Sequence, residues 1–282
     1  MILNYITWNV KPEIFSVPDD IWLVGGLTVR WYGLLFAGAF FFGYIIVSKM
    51  FKRENIDQKV LDKLTIYMAL GTILGARLGH CLFYQPDYYL KNPLEILMVW
   101  EGGLASHGAA IGILFALFLF VRKVKKPYLW ILDRIVIVVA LSGLLIRLGN
   151  FINSEIVGKV TKLFWGFYFP RNDCPPPYDC DLSLISPRHP AQLYEAFSYL
   201  IIFIVLYFLY LKKGAGEKKG YLFSIFLITL FSVRFFIEFV KDVQVDFEQS
   251  MVLNLGQLLS IPFIIIGIFI LRYSLKNSKE VK

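Results

Sequence analysis

Charge is scarce in this chain: 18% of its 282 residues are Asp, Glu, Lys or Arg, while 57% are hydrophobic and 17% aromatic. A soluble domain carries about 25% charged and about 45–50% apolar residues, so a single soluble domain is excluded. Cysteine and histidine are rare, with 3 of each. Three cysteines cannot build a disulfide framework. Cys81 falls in an apolar run and reads as inert packing, whereas Cys174 and Cys180 flank Pro175-Pro-Pro-Tyr-Asp and can bridge if that loop is oxidising. No Walker loop, His-Glu-x-x-His or Cys-x-x-Cys occurs, nor an aspartate-dense metal-binding pattern. The chain therefore reads as using no metal and no other cofactor. Also missing are an internal repeat, the broken-helix pair that marks many transporters, and a basic n-region before an apolar core, so no cleaved signal peptide is expected.

What is present is a series of long apolar runs. A bilayer is crossed by about 20 such residues, and the runs predict seven spans, near 32–50, 62–84, 104–122, 128–150, 191–211, 220–240 and 256–273. The predicted class is an all-α polytopic membrane protein. A net charge of +8 would suit nucleic acid, but the basic residues sit in short clusters between the runs, as topology determinants do. Lys49, Lys52, Arg53 and Lys59 follow the first span, and Arg122, Lys123, Lys125 and Lys126 the third. Lys212, Lys213, Lys218 and Lys219 follow the fifth, and Arg272, Lys276, Lys279 and Lys282 lie in the tail. These segments are expected in the cytoplasm, with the N-terminus outside and no nucleic-acid partner. Residues 1–31, with Trp8, Trp22 and Trp31, suit an outer-surface segment: an amphipathic helix and a hairpin turning at Gly25-Gly26. Residues 32–273 form the expected transmembrane domain, 151–190 an outer loop within it, and 274–282 a basic cytoplasmic tail.

With that topology the ionisable and amide residues converge in depth. Tyr32 begins the first span and Arg77 lies about 10 Å below the outer end of the second, at about 1.5 Å per residue. His107 opens the third span, Arg147 and Asn150 close the fourth, and His189, Gln192, Tyr194 and Glu195 open the fifth. Arg234 and Glu238 occupy the last turns of the sixth. All fall in the outer half of the bilayer. Charge in hydrocarbon costs about 2.5–3.5 kcal/mol even on the mildest scale, and side chains serving only as packing glue need not share one depth. Arg147 with Asn150, and Arg234 with Glu238, are spaced to share a helix face. Taken singly, each has an ordinary reading: a salt bridge for Arg234–Glu238, a snorkelling Arg77, caps for Asn150 and Asn153, a belt aromatic for Tyr32. Taken together they predict a site. Arginines there attract phosphate, whose oxygens match the guanidinium donors, and the abundant phosphate at that depth is the lipid headgroup. A histidine near neutrality supplies a candidate base.

Three segments carry a family resemblance: Gly102-Gly-Leu-Ala-Ser-His107-Gly, Arg147-Leu-Gly-Asn-Phe-Ile-Asn-Ser-Glu-Ile-Val-Gly158, and His189-Pro-Ala-Gln-Leu-Tyr-Glu195. Arg30-Trp-Tyr32-Gly, Gly75-Ala-Arg77-Leu-Gly, Arg234-Phe-Phe-Ile-Glu238 and Asn254-Leu-Gly-Gln extend it over about residues 25–270. The chain resembles the prolipoprotein diacylglyceryl transferases. Ala109-Ala110 departs from the family's usual residues after His-Gly, and loop 159–188 is individual.

The resemblance implies a multi-pass enzyme of the bacterial plasma membrane. Such an enzyme moves the diacylglyceryl group of phosphatidylglycerol onto the lipobox cysteine of a prolipoprotein signal peptide and releases glycerol 1-phosphate. It implies catalytic roles for His107, Arg147, Arg234 and Tyr32, with His107 or water as the base. It implies phosphatidylglycerol contacts for Arg147, Arg234, Asn150, Asn153, Glu155, Gly158 and Arg77, and support from Glu195, Glu238, His189 and Gln192. The competing expectation is a transporter of an anionic lipid or small anion using the same arginines. Charge near the midplane or on both sides would mark that class, and neither is found.

Overall fold

Each predicted apolar run is helical in the computed structural model, which describes residues 5–18, 26, 28–99, 103, 105–212, 218–242, 248 and 251–277. The long helices are α1 (Trp31–Arg53), α2 (Gln58–Phe83), α4 (Ser106–Val124), α5 (Tyr128–Ile152), α7 (Ala191–Leu211), α8 (Tyr221–Ile237) and α9 (Leu255–Asn277). Short helices α3 (Pro86–Lys91) and α6 (Pro170–Asp173) lie in the connections. Six of the long helices have the length and apolarity to cross a bilayer, and α8, at 17 residues, reaches about 25 Å. The chain is a multi-pass, all-α membrane protein. The polar site residues cluster at the ends of α5, α7 and α8.

Two compact units divide the chain: Tyr44–Ile135, and Met1–Gly43 with Val136–Lys282. In the first, α2 and α4 approach until backbones touch. A Cβ on Gly79 would lie 2.6 Å from Gly108 Cα, and one on Gly112 would lie 2.7 Å from Gly75 Cα. Small residues are the usual means of such contact where lipid removes the hydrophobic drive between helices. Asp57 caps α2, its Oδ1 accepting from the Lys59 amide at 2.9 Å. Buried Arg134 donates to Glu54, with Nη2–Oε2 at 2.8 Å, and stacks on Trp130 at 4.3 Å.

In the second unit α8 packs on α9, with Phe231 stacked on Phe263 at 4.4 Å. Phe151 in the last turn of α5 packs with Val157 and Phe169, and Trp8 Nε1 donates to the Phe151 carbonyl at 2.8 Å. This helix-end carbonyl also accepts from the Ser154 amide at 3.1 Å. The strand pair β1 (Ile6–Thr7) and β4 (Phe167–Tyr168) is parallel, and β2 (Glu13–Ser16) pairs antiparallel with β3 (Thr28–Arg30). The expected hairpin is thus present, and Gly26 takes φ 76° at its turn. The expected amphipathic helix is not found among described residues 5–18: their backbone groups pair with residues 167–168, 28–30 and Trp31 instead. Trp22 and Gly25 lie outside the described residues. Cys174 and Cys180 form a disulfide, and Cys81 is free and buried. Arg188 ties this loop to the segment after α8, bonding Asp173 at 3.0 Å and Asp242 at 2.7 Å.

Candidate active site

The end of α5 turns tightly because Ser154 and Ile156 adopt φ 56° and 57°, folding the chain back beneath its own helix. Glu155 is thereby brought to the carboxamides that precede it. Asn150 Nδ2 donates to Glu155 Oε2 at 3.3 Å, and Asn153 Nδ2 to Glu155 Oε1 at 3.1 Å. Arg147 Nη1 donates to Asn150 Oδ1 at 3.1 Å. The long motif read in the sequence is therefore one bonded chain, Arg147–Asn150–Glu155–Asn153. From α7, fully buried Gln192 donates to the Glu155 carbonyl at 2.6 Å and pins the turn.

Glu195, one turn further along α7, has no exposed surface and places Oε2 2.8 Å from Arg147 Nε. The Nε–H is not aligned on that oxygen, so the contact is an ion pair without a directional hydrogen bond. On its other side Lys241 Nζ stands 4.0 Å from Glu195 Oε1 and 3.1 Å from Glu238 Oε2. Glu238 in turn lies over Gly256, where a Cβ would meet its carboxyl carbon at 2.6 Å. The i,i+4 spacing suggested that Glu238 pairs with Arg234. Among the described residues no ion pair joins them, and Lys241, buried beside both glutamates, takes Glu238 instead.

Gly158 is a crossing point. Its amide donates to the His189 carbonyl at 2.9 Å, it bridges to Lys241, and a Cβ there would lie 2.5 Å from His189 Cβ. His189 Nδ1 contacts the Tyr194 hydroxyl at 3.1 Å, which also accepts from Trp165 Nε1 at 2.8 Å. Burial holds the His189 imidazole below its ordinary pKa. Tyr32 stacks against Gly149, a Cβ there falling 2.7 Å from its ring, within electrostatic reach of Glu155 and Arg147. Arg234 is half-buried in the last turn of α8, within electrostatic reach of Tyr199 on α7. Tyr32, Arg147, Asn150, Asn153, Glu155, Gly158, His189, Gln192, Glu195, Arg234 and Glu238 thus all belong to one compact unit.

His107 and Arg77 belong to the other unit. His107 is exposed in the first turn of α4, next to Gly108, whose Cα touches the α2 backbone at Gly79. Arg77 is 2% exposed and turned inward. Its Nε donates to the Ile96 carbonyl at 3.1 Å, another donor reaches the Glu95 carbonyl, and its guanidinium lies 5.1 Å from the Tyr89 ring centre. Those bonds join Arg77 to the 3₁₀ turn Pro93–Leu97. Lys241 and Tyr199 escaped the sequence reading. The first looks like one more interfacial cation, and only the i,i+4 spacing from Glu195 could have flagged the second.

The sequence pattern of the prolipoprotein diacylglyceryl transferase family matches residues 20–273. The chain belongs to that family. It is similar to the phosphatidylglycerol–prolipoprotein diacylglyceryl transferase of Bacteroides fragilis, 43% identical over 293 residues that cover 100% of this chain and 99% of the relative. The protein of the same name from Tolumonas auensis is 43% identical, covering 96% of this chain and 98% of the relative. That of Chloroherpeton thalassium is 42% identical, with 99% and 98% covered. Family membership puts a transferase ahead of a transporter, and the arginine–carboxamide chain from Arg147 to Glu155 lies within the matched residues.

Proposed function

We propose that this chain transfers the diacylglyceryl group of phosphatidylglycerol to the cysteine thiol of a prolipoprotein, the first step of lipoprotein maturation. The observation that carries the reading is Arg147, a guanidinium anchored by Glu195 and Asn150 at the end of a membrane helix. Anchoring on those sides leaves guanidinium N–H groups over for a phosphate, the geometry in which arginine binds phosphate best.

In the reaction the sulfur attacks the glyceryl carbon that bears the phosphate. A C–S bond forms, the C–O bond breaks, and its electron pair departs with glycerol 1-phosphate. The leaving phosphate gains negative charge, so cations placed beforehand at its oxygens lower the barrier. Arg147 and Arg234 fill that role. The thiol, with an ordinary pKa of about 8.5, gives its proton to His107 or to water. Tyr32, Asn150, Asn153 and Glu155 set the headgroup and the arginine side chains, and Gly158 lets the chain pass close to His189. The substrate peptide is one with a lipobox, and the enzyme works without a metal in the bacterial plasma membrane, its N-terminus outside and its C-terminus cytoplasmic.

The test incubates purified protein with phosphatidylglycerol and a lipobox peptide, with and without chelator. A mass gain of one diacylglyceryl group on the cysteine, undiminished by chelator, is expected. No gain, or a gain lost with chelator, overturns the transfer or its metal independence respectively. Arg147→Ala and Arg234→Ala are each expected to abolish the product, and wild-type rates from both would remove the phosphate-clamp role.

A further inference from the structure

The loop after α5 turns back on itself at an apolar tip. The Gly166 amide donates to the Leu163 carbonyl at 2.9 Å, which puts Phe164 and Trp165 at the corner of the turn. Both arms are pinned: the Thr161 amide donates to the Pro187 carbonyl at 2.8 Å, and that of Phe167 to the Arg188 carbonyl at 2.9 Å. The tip is therefore a built feature, yet Phe164 is 68% exposed and Trp165 40%, with Val160 and Leu163 open beside them.

One hydrogen bond fixes the depth of this tip. Trp165 Nε1 donates to the Tyr194 hydroxyl at 2.8 Å, and Tyr194 stands in the first turn of α7. The tip thus lies level with the start of a membrane helix, the headgroup layer. Indole and phenol rings favour that layer because each joins an apolar body to a polar atom. Tyr194 also heads the lipid-facing stripe of α7. Phe197, Ile201, Ile204 and Phe208 follow it at three- and four-residue steps, and all four are exposed. Phe164 and Trp165 extend that stripe past the end of the helix.

The flanking charge has one sign. Between Ile156 and Asn172 the chain carries Lys159, Lys162 and Arg171 and no acidic residue. Lys159 Nζ donates to the Phe239 carbonyl at 2.9 Å, while Lys162, next to the tip, is exposed. Apolar and aromatic groups beside lysines are the combination that seats a segment on anionic lipid.

We infer that Leu163–Trp165 is a membrane-surface anchor: the tip enters the headgroup layer of an anionic leaflet, with Lys162 at the lipid phosphates. The anchor needs the membrane span and not the transfer chemistry. A peptide or a second copy would also cover an apolar tip, but a cationic flank level with the headgroups is complementary to lipid phosphate. The tip reaches the site through one residue, since the Tyr194 hydroxyl that receives Trp165 also contacts His189 Nδ1 at 3.1 Å.

Full-length Phe164→Cys protein labelled with a fluorophore tests this, because Cys81 is buried and Cys174 is bonded to Cys180. The protein is placed in vesicles of phosphatidylglycerol and phosphatidylcholine. A nitroxide at the lipid headgroup should quench the label at least about twofold more than one at the chain terminus. Carried on phosphatidylglycerol, the headgroup nitroxide should act about twofold more strongly than on phosphatidylcholine, and Lys162→Gln should remove that preference. Without any label, the tryptophan emission lost in Trp165→Phe should be emission that brominated phosphatidylglycerol quenches. Equal quenching from both depths, or none from either, overturns the anchor. So does a label that stays in water until a lipobox peptide is added, which would give the tip to the peptide. None of these readouts depends on whether a thioether forms.

Discussion

Glu195 Oε2 lies 2.8 Å from Arg147 Nε, and the Glu195 side chain has no solvent exposure. The carboxylate also faces Lys241 at 4.0 Å. A buried charge between two cations is sustained by both, and each cation is oriented by it. Glu195→Gln keeps the volume and removes the charge. Breaking a buried pair by neutralising one partner costs about 3–5 kcal/mol, here spread over Arg147 and Lys241. The expected outcome is a lowered melting temperature in detergent and transfer reduced by about tenfold or more, a loss of about 1.4 kcal/mol in transition-state stabilisation per factor of ten. Unchanged transfer in membranes from cells expressing the variant would remove Glu195 from the anchoring of Arg147.

Gly158→Ala tests the crossing of the site's backbone segments. The new Cβ would fall 2.5 Å from His189 Cβ, 2.6 Å from the His189 carbonyl oxygen and 2.8 Å from the Val240 oxygen. Two of these are backbone atoms held by the bonds Gly158 N→His189 O at 2.9 Å and Lys159 N→Val240 O at 2.8 Å. Nothing flexible can yield, so the strands must part. Overpacking of this kind costs about 1–3 kcal/mol. Lys241, presented by the same segment, should shift and loosen Glu195 and Glu238. A thermal melt and a transfer assay on the same preparation should both fall, and a variant that melts like wild type would show that the crossing is slack.

The spans were legible because lipid imposes long apolar runs, and the Arg147–Gly158 motif was legible because spacing alone puts its side chains on one helix end and turn. Side-chain choices between competitors were not. The spacing of Arg234 and Glu238 favours a pair, yet Lys241, three residues beyond Glu238, wins the carboxylate at 3.1 Å. Periodicity ranks neighbours on one helix and is silent about a chain that has already left it. The partners of Arg77 were illegible for a similar reason: depth in a helix can be counted, but the carbonyls of Ile96 and Glu95 reach it from a 3₁₀ turn whose path no periodicity fixes.

His189 gives the site a pH dependence. Burial pushes its imidazole below the ordinary value, which is about 6.5, while the unfolded chain keeps that value. The native state therefore binds the proton less readily than the unfolded state, and stability falls as pH drops through the unfolded pKa toward the folded one. Above about pH 7 the contribution is complete. The ring is partly open to water, so the effect is small. Melting temperatures measured between about pH 5 and pH 8 should fall on the acid side in wild type, with a shallower fall in His189→Asn. Identical curves for the two proteins would assign the acid response to other groups.

Arg77 separates folding from phosphate binding. Its side chain is buried, with donors on the Ile96 and Glu95 carbonyls and its face on Tyr89. Arg77→Lys keeps the charge but cannot span both carbonyls with a planar fork, and Arg77→Ala leaves those acceptors without it. Each orphaned buried acceptor costs about 1–3 kcal/mol. Both variants should therefore yield less folded protein and melt lower, Ala more than Lys. The protein that does fold should keep a KM for phosphatidylglycerol within about twofold of wild type, because the lost contacts are internal. A KM raised tenfold in Arg77→Lys at unchanged melting temperature would instead put that guanidinium on the lipid.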